Sequence, residues 1–315
     1  MAALKNILNM NDSLSALNEK FAIDGSVIFK QIEDEHNNLL SIEIRNQYAF
    51  AEIQLQGAHL TTWTPNNSIP VIWLSEDAKF TANKSIRGGI PICWPWFGAH
   101  QSDSNFPAHG FARTVQWQVE SIEVLKTGET QVLLILPELN IPVTQWSVES
   151  KVQCIYTVGQ TLEVELITHN LSQENIVIGE ALHSYFNVSD VRNIIIEGLD
   201  ECQYLDKLDD FKCKIQAGNI DIRQEVDRVY IATDQECIIE DLGYNRRIRI
   251  NKKGSLSTIV WNPWLETATK MADLGQDGYL SMVCVESGNA AQDVITIKPD
   301  NKHSLTVCYS VDEIT

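Results

Sequence analysis

The sequence predicts an all-β protein of antiparallel sheets packed face to face, and three observations carry that expectation. From about residue 26 onward, short segments alternate apolar and polar residues, the period-two mark of strands with one buried face. Almost no long segment of helical period lies between them, which disfavours a βαβ arrangement. No internal repeat, low-complexity tract or Pro/Gly/Ser-rich linker divides the 315 residues. The expectation is therefore one domain over 1–315, with residues 1–25 as a peripheral N-terminal segment.

Taken in order, Ala51, Ile53 and Leu55 alternate with Glu52, Gln54 and Gln56. Val115, Trp117 and Val119 repeat the pattern, as do Leu162, Val164 and Leu166. Apolar or alternating runs follow at 131–136, 193–196, 255–261, 280–285 and 304–311. Such spacing predicts roughly fifteen strands. One helix is expected over Trp264–Leu274, with Asn262 and Pro263 at its start and Gly275 at its stop. Residues 2–20 suit a second short helix, although repeated Asn and Ser weaken its propensity.

Composition limits function. Hydrophobic residues make up 44% of the chain and charged ones 21%, enough to bury a sizeable core. A formal charge of −18 repels nucleic acid and anionic membrane surfaces, so neither is expected as a partner. An anionic ligand would need locally clustered basic residues. Seven cysteines without C-x-x-C spacing read as reduced thiols, and neither an export signal nor a membrane span is visible, so the chain is expected in the cytoplasm.

Five segments interrupt the strand pattern with residues that carry chemistry. Ser85–Gly98 sets Arg87 beside Gly88 and Gly89, among three aromatics. Arg offers a planar fork for a carboxylate or phosphate, and a structural salt bridge is the alternative. Trp94, Trp96 and Phe97 read more readily as core than as a sugar platform. In Pro107–Arg113, His109 and Arg113 stand at the entrance to a strand, where Arg113 is a second candidate anion ligand or an exposed charge. In Glu180–Asn187, His183 stands among apolar residues, an expensive place for charge unless it is hydrogen-bonded or functional. Asp227 stands before a short strand beside Arg228, Val229 and Tyr230, where a surface salt bridge with Arg228 is the default reading. Finally, the apolar run Leu280–Val285 ends in Glu286, followed by the turn-like Ser287, Gly288 and Asn289.

Together, Arg87-Gly88-Gly89-Ile90-Pro91, His109-Gly110-Phe111-Ala112-Arg113, Leu182-His183-Ser184-Tyr185-Phe186, Asp227-Arg228-Val229-Tyr230 and Val285-Glu286-Ser287-Gly288 resemble the hexose-6-phosphate mutarotases. These are also called glucose-6-phosphate 1-epimerases, within the aldose 1-epimerase superfamily. The resemblance covers roughly residues 30–310. It implies the large antiparallel β-sandwich of the galactose-mutarotase type and interconversion of the anomers of a hexose 6-phosphate. By the same resemblance His183 is the general acid, Glu286 the general base, Arg87 and Arg113 the phosphate ligands, Asp227 a partner of sugar hydroxyls and His109 a neighbour of the reacting carbon. Some relatives have Gln where this chain has Ala108, and Pro where it has Ser287.

Ring opening needs one proton donor and one acceptor, and no metal, nucleotide or redox cofactor. With reference pKa values near 4.3 and 6.5, Glu286 is expected ionised and His183 held protonated by a nearby carboxylate. The expected partner is a small sugar phosphate, and the chain is expected to act as a monomer. Two other readings stand beside this one. A glycoside hydrolase would draw on Glu180, Asp227 and Glu286 but leaves both arginines without a purpose. A non-catalytic sugar-binding module has no need of both His183 and Glu286. A zinc site from His59, His109 and His183 lacks diagnostic spacing.

Overall fold

The computed structural model describes residues 13–34 and 37–314, and these contain 22 strands and two short α-helices. Every pairing between named strands is antiparallel. The all-β expectation holds. The strand count exceeds the expected fifteen because several strands, such as Ile92–Cys93 and Glu180–Leu182, are too short to show a period.

Two eight-stranded sheets dominate. The first, here the site sheet, runs in the order Lys212–Ile215, Gln203–Asp206, Val226–Tyr230, Ser257–Asn262, Met282–Asn289, Glu180–Leu182 and Ile92–Cys93, with Tyr185–Asn187 also paired to Met282–Asn289. The second, the back sheet, runs Ile194–Glu197, Cys237–Asp241, Arg246–Lys253, Lys302–Glu313, Leu162–Asn170, Ser150–Val158, Thr130–Leu136 and Gln118–Val124. A four-stranded meander, Val27–Asp34, Asn37–Arg45, Ala49–Gln54 and His59–Pro65, flanks them.

Alternation explains how one core serves all three sheets. Leu162, Val164 and Leu166 are fully buried between polar neighbours, and they join Val283, Val285 and Val260 of the site sheet and Ile42 and Ile53 of the meander in one apolar cluster. Val283 and Val285 face that core, so Cys284 and Glu286 emerge on the opposite face of the same strand. That alternation places the carboxylate where a ligand can reach it.

Four expectations change in detail. The run at Val115–Val119 enters its strand only at Gln118, because Ala112–Thr114 first makes a 3-10 turn, and Arg113 therefore sits on that turn rather than at a strand end. Glu286 lies within the strand Met282–Asn289 rather than at its end, because Ser287, Gly288 and Asn289 continue to pair with Glu180–Leu182. The expected helix Trp264–Leu274 stops at Ala268. There Thr269 turns its hydroxyl onto the Glu266 carbonyl, a local bond that competes with helix continuation. At the other end Pro263, expected as the first helical residue, takes the cap position instead, and the Asn262 side chain before it accepts the Trp264 N–H.

The second helix expected over residues 2–20 is Leu14–Phe21, capped by Ser13, and residues 2–12 lie outside the described residues. Asn18 holds this helix to the meander by exchanging hydrogen bonds with the Phe29 backbone.

Candidate active site

Backbone register builds the floor of the site. Asp227 pairs with Trp261, Trp261 with Cys284 and Cys284 with Tyr185, which makes one row across the sheet. The next row runs Val229, Ile259 and Glu286. The register on either side of His183, Leu182 with Ser287 and Tyr185 with Cys284, puts His183 opposite Glu286. Residues two apart on a strand share a face, so these rows expose Asp227, Trp261, Ile259, Glu286, His183 and Tyr185 together.

Loops from the other segments close the walls. The His183 N–H donates to the Pro91 carbonyl and the Tyr185 N–H to the Gly89 carbonyl, which stitches the Arg87 segment to the His183 segment. Gly88 has φ +103°, and a Cβ there would sit 2.6 Å from the Trp73 carbonyl oxygen, so only glycine permits that approach. Gly110 has the same role beside Trp94: φ is +71° and a Cβ would lie 2.0 Å from the Trp94 oxygen. This close approach brings His109 and Arg113 to the cavity. Trp94 itself is fully buried, as expected of a core residue, whereas Phe97 lines the cavity edge to face against His109.

The result is a cavity of about 240 Å³ lined by Arg87, His109, Arg113, His183, Asp227 and Glu286, all six residues singled out from the sequence. Sequence reasoning missed Lys207, Tyr185, Ile259, Trp261 and Met271, which also line it. Lys207 pairs with Asp227 at 2.6 Å. Arg87 donates through Nε to Asp273 and through Nη1 to the Tyr185 hydroxyl, each at 3.2 Å. Arg113 donates to the Ala108 carbonyl at 2.9 Å. Arg87 thus makes a salt bridge with Asp273 and also lines the cavity.

His183 Nδ1 and Glu286 Oε1 lie 3.3 Å apart. Their orientation does not make a hydrogen bond, and both Nδ1 and Glu286 Oε2 are buried without a partner. The His183 ring stacks on Tyr185 with centroids 4.9 Å apart and planes 10° from parallel. His109 packs edge-on to His183, centroids 5.6 Å apart.

Burial is the main electrostatic force here. It lowers the His183 pKa well below its usual value, and the electrostatic influence of His109, Arg113 and Arg87 acts in the same direction. It raises Glu286 well above the usual carboxylate range; Lys207 and Arg113 oppose the shift, and Asp227 adds to it. The expectation that Glu286 holds His183 protonated is therefore corrected: desolvation favours the uncharged form of each. His109 falls to about 3 through burial and the nearby Arg113, Lys207 and Arg87. Asp227 is raised by burial against the pull of Lys207.

Other candidates separate from the cavity. His59 is fully buried and donates through Nε2 to the Gly88 carbonyl, so it cannot join His109 and His183 in a zinc site. Glu180, offered for a hydrolase, is fully buried and tied to His303 at 2.8 Å and Asn289 at 3.0 Å. Among the described residues, the donors that could hold a metal ion together are His183, Cys284 and Glu286.

Residues 40–310 match the aldose 1-epimerase family. The chain is 34% identical over 265 residues to a Salmonella typhimurium protein named "Putative glucose-6-phosphate 1-epimerase", covering 82% of this chain and 87% of that one. An Escherichia coli protein of the same name is 33% identical, over 77% of this chain and 80% of its own. The crystal structure of a Salmonella typhimurium protein described as a "putative mutarotase" superposes with a TM-score of 0.85 at 30% identity, covering 93% of this chain and 96% of that one. A galactose mutarotase related enzyme from Lactobacillus acidophilus, 13% identical with a TM-score of 0.67 over 87% of this chain and 98% of its own, shares the fold. This chain belongs to the aldose 1-epimerase family and is a mutarotase, an isomerase that interconverts the anomers of an aldose.

Proposed function

We propose that the preferred substrate is a hexose 6-phosphate, glucose 6-phosphate first among them, and that His183 and Glu286 are its acid/base pair. One observation carries the phosphate: in a protein of net charge −18, three cations, Arg87, Arg113 and Lys207, line a single cavity of about 240 Å³. So much positive charge beside a sheet-bound dyad suits a dianion, and arginine suits the planar face of a phosphate. The relatives' names support the same substrate. Asp227 takes sugar hydroxyls, and His109, kept neutral, lies beside the reacting carbon.

In the reaction one group of the pair removes the proton from the C1 hydroxyl while the other gives a proton to the ring oxygen. The C1–O5 bond breaks, C1=O forms and the free aldehyde results. Rotation about C1–C2 and reversal of both transfers give the other anomer. The pair His183–H⁺/Glu286⁻ and the pair His183/Glu286–H hold the same single proton, placed on opposite sides of a 3.3 Å gap. Desolvation favours the second form, and transfer of that proton to His183 generates the acid and base that the resemblance implies. Because mutarotation is reversible, each group must serve in both directions.

The chain is proposed to act as a cytoplasmic monomer, with one domain spanning its length. Its seven cysteines are all free, as suits a reducing compartment.

Substituting Arg113 by Ala tests the substrate. Loss of a charge-assisted hydrogen bond is worth about 1.5–3 kcal/mol, roughly 10- to 100-fold in kcat/KM. That loss should fall on glucose 6-phosphate and spare glucose. Equal losses on the two sugars, followed by polarimetry, would remove the phosphate assignment.

A further inference from the structure

Cys284 has no part in ring opening, yet it stands two residues before Glu286 on the same face of one strand, and His183 stands across from Glu286, between the adjacent strands Glu180–Leu182 and Tyr185–Asn187. One donor atom from each of the three lies within 4.8 Å of the other two. All three residues are buried: Cys284 is 0% exposed, Glu286 1% and His183 8%. His183 Nδ1 and Glu286 Oε2 are buried with no hydrogen-bond partner, which leaves lone pairs unused at a place where an unused lone pair is costly.

We propose that Cys284, Glu286 and His183 form a binding site for a borderline-soft divalent cation, Zn²⁺ foremost, and that its occupation inhibits the enzyme. The donor set decides the metal. A thiolate, an imidazole and a carboxylate are zinc's ligand types, whereas Mg²⁺ and Ca²⁺ select oxygen alone. Ligand atoms around a tetrahedral zinc sit roughly 3.3–3.8 Å apart, so the three donors need to close by only about 1 Å. One strand, Met282–Asn289, carries Cys284 and Glu286 on the same face, and His183 and Glu286 also line the cavity. Binding costs the Cys284 thiol its proton, which leaves to solvent as the metal–sulfur bond forms. Once bound, the metal occupies the His183 lone pair and the Glu286 carboxylate, and neither can then exchange a proton with a sugar.

The inhibition rests on the proposed acid/base roles of His183 and Glu286, whereas the metal site does not, and the test reads the two separately. Intact, chelator-stripped protein is titrated with Co²⁺, and the near-ultraviolet thiolate-to-cobalt band and the visible bands are followed. Anomer exchange on glucose 6-phosphate is measured in parallel under added Zn²⁺. The expected result is a thiolate band in the wild type that is absent in Cys284→Ala and in Cys284→Ser. Both variants should exchange anomers at the wild-type rate and need at least about 10-fold more zinc for half-inhibition. His183→Ala, which keeps the thiol, should weaken cobalt binding. A wild type without a thiolate band overturns the site, as does a band that survives in both Cys284 variants, since another cysteine would then be the ligand. A cobalt-loaded, thiolate-ligated protein that still exchanges anomers at full rate overturns the inhibition, and with it the acid/base assignment.

Discussion

At His183 and Glu286 the governing quantity is where a single proton resides. Burial lowers the pKa of the first below 6.5 and raises that of the second above 4.5. The one-proton state then extends from the pH at which His183 would take up a second proton to the pH at which Glu286 would give up the last. Exchange of free glucose should therefore stay level as the pH passes through 6.5, where an ordinary imidazole titrates. Glucose is the substrate to use, because the second ionisation of a sugar phosphate, near pH 6, would overlay its own step. A fall in rate as pH rises through 6.5 would mean an imidazolium acid of ordinary pKa. His183 and Glu286 were legible in the sequence because ionisable residues interrupt apolar runs there. Lys207 was not, since a lysine on a short 3-10 turn looks like any solvated charge until Asp227 is seen 2.6 Å away. Asp273 was hidden for the same reason, because its partnership with Arg87 joins positions 186 residues apart.

Among the elements, the glycine turns set the walls of the cavity. Gly110→Ala should cost about 2–4 kcal/mol, from left-handed backbone strain and from collision with Trp94. Gly98→Ala, with φ +74° and nothing within 4 Å, should cost only about 1 kcal/mol. Thermal unfolding of the two variants reads the difference, and equal losses would refute the close-approach argument. The long alternating strands were legible because period two is written in the side chains, as at Leu162–Asn170. The strand Met282–Asn289 was misjudged at its C-terminal end because Ser, Gly and Asn signal turns. Here a Cβ on Gly288 would lie 2.6 Å from the Glu180 carbonyl oxygen, so the glycine admits a neighbouring strand instead of ending its own. The helix from Trp264 was overextended because a periodicity argument does not weigh local bonds such as that of the Thr269 hydroxyl to the Glu266 carbonyl.

For the whole molecule, a core shared by three sheets argues for one cooperative unit. Denaturant unfolding followed by fluorescence and by circular dichroism should give coincident single transitions, and light scattering should give a mass of 35.5 kDa. Separate transitions would divide the chain into domains, and a doubled mass would replace the monomer. The fold class was readable from patterning alone. Strand order was not, because a site sheet assembled from segments as distant as Ile92–Cys93 and Met282–Asn289 depends on tertiary contacts that no local pattern encodes.

The most direct measurement is magnetisation-exchange NMR between the α and β anomers of glucose 6-phosphate, with wild type, Glu286→Gln and His183→Ala at equal concentration. Wild type should exchange the anomers far above the buffer rate, and each variant should fall by at least about 100-fold. Wild-type exchange at the buffer rate, or a variant that keeps the wild-type rate, would contradict the assignment of this pair to the anomerisation of a sugar phosphate.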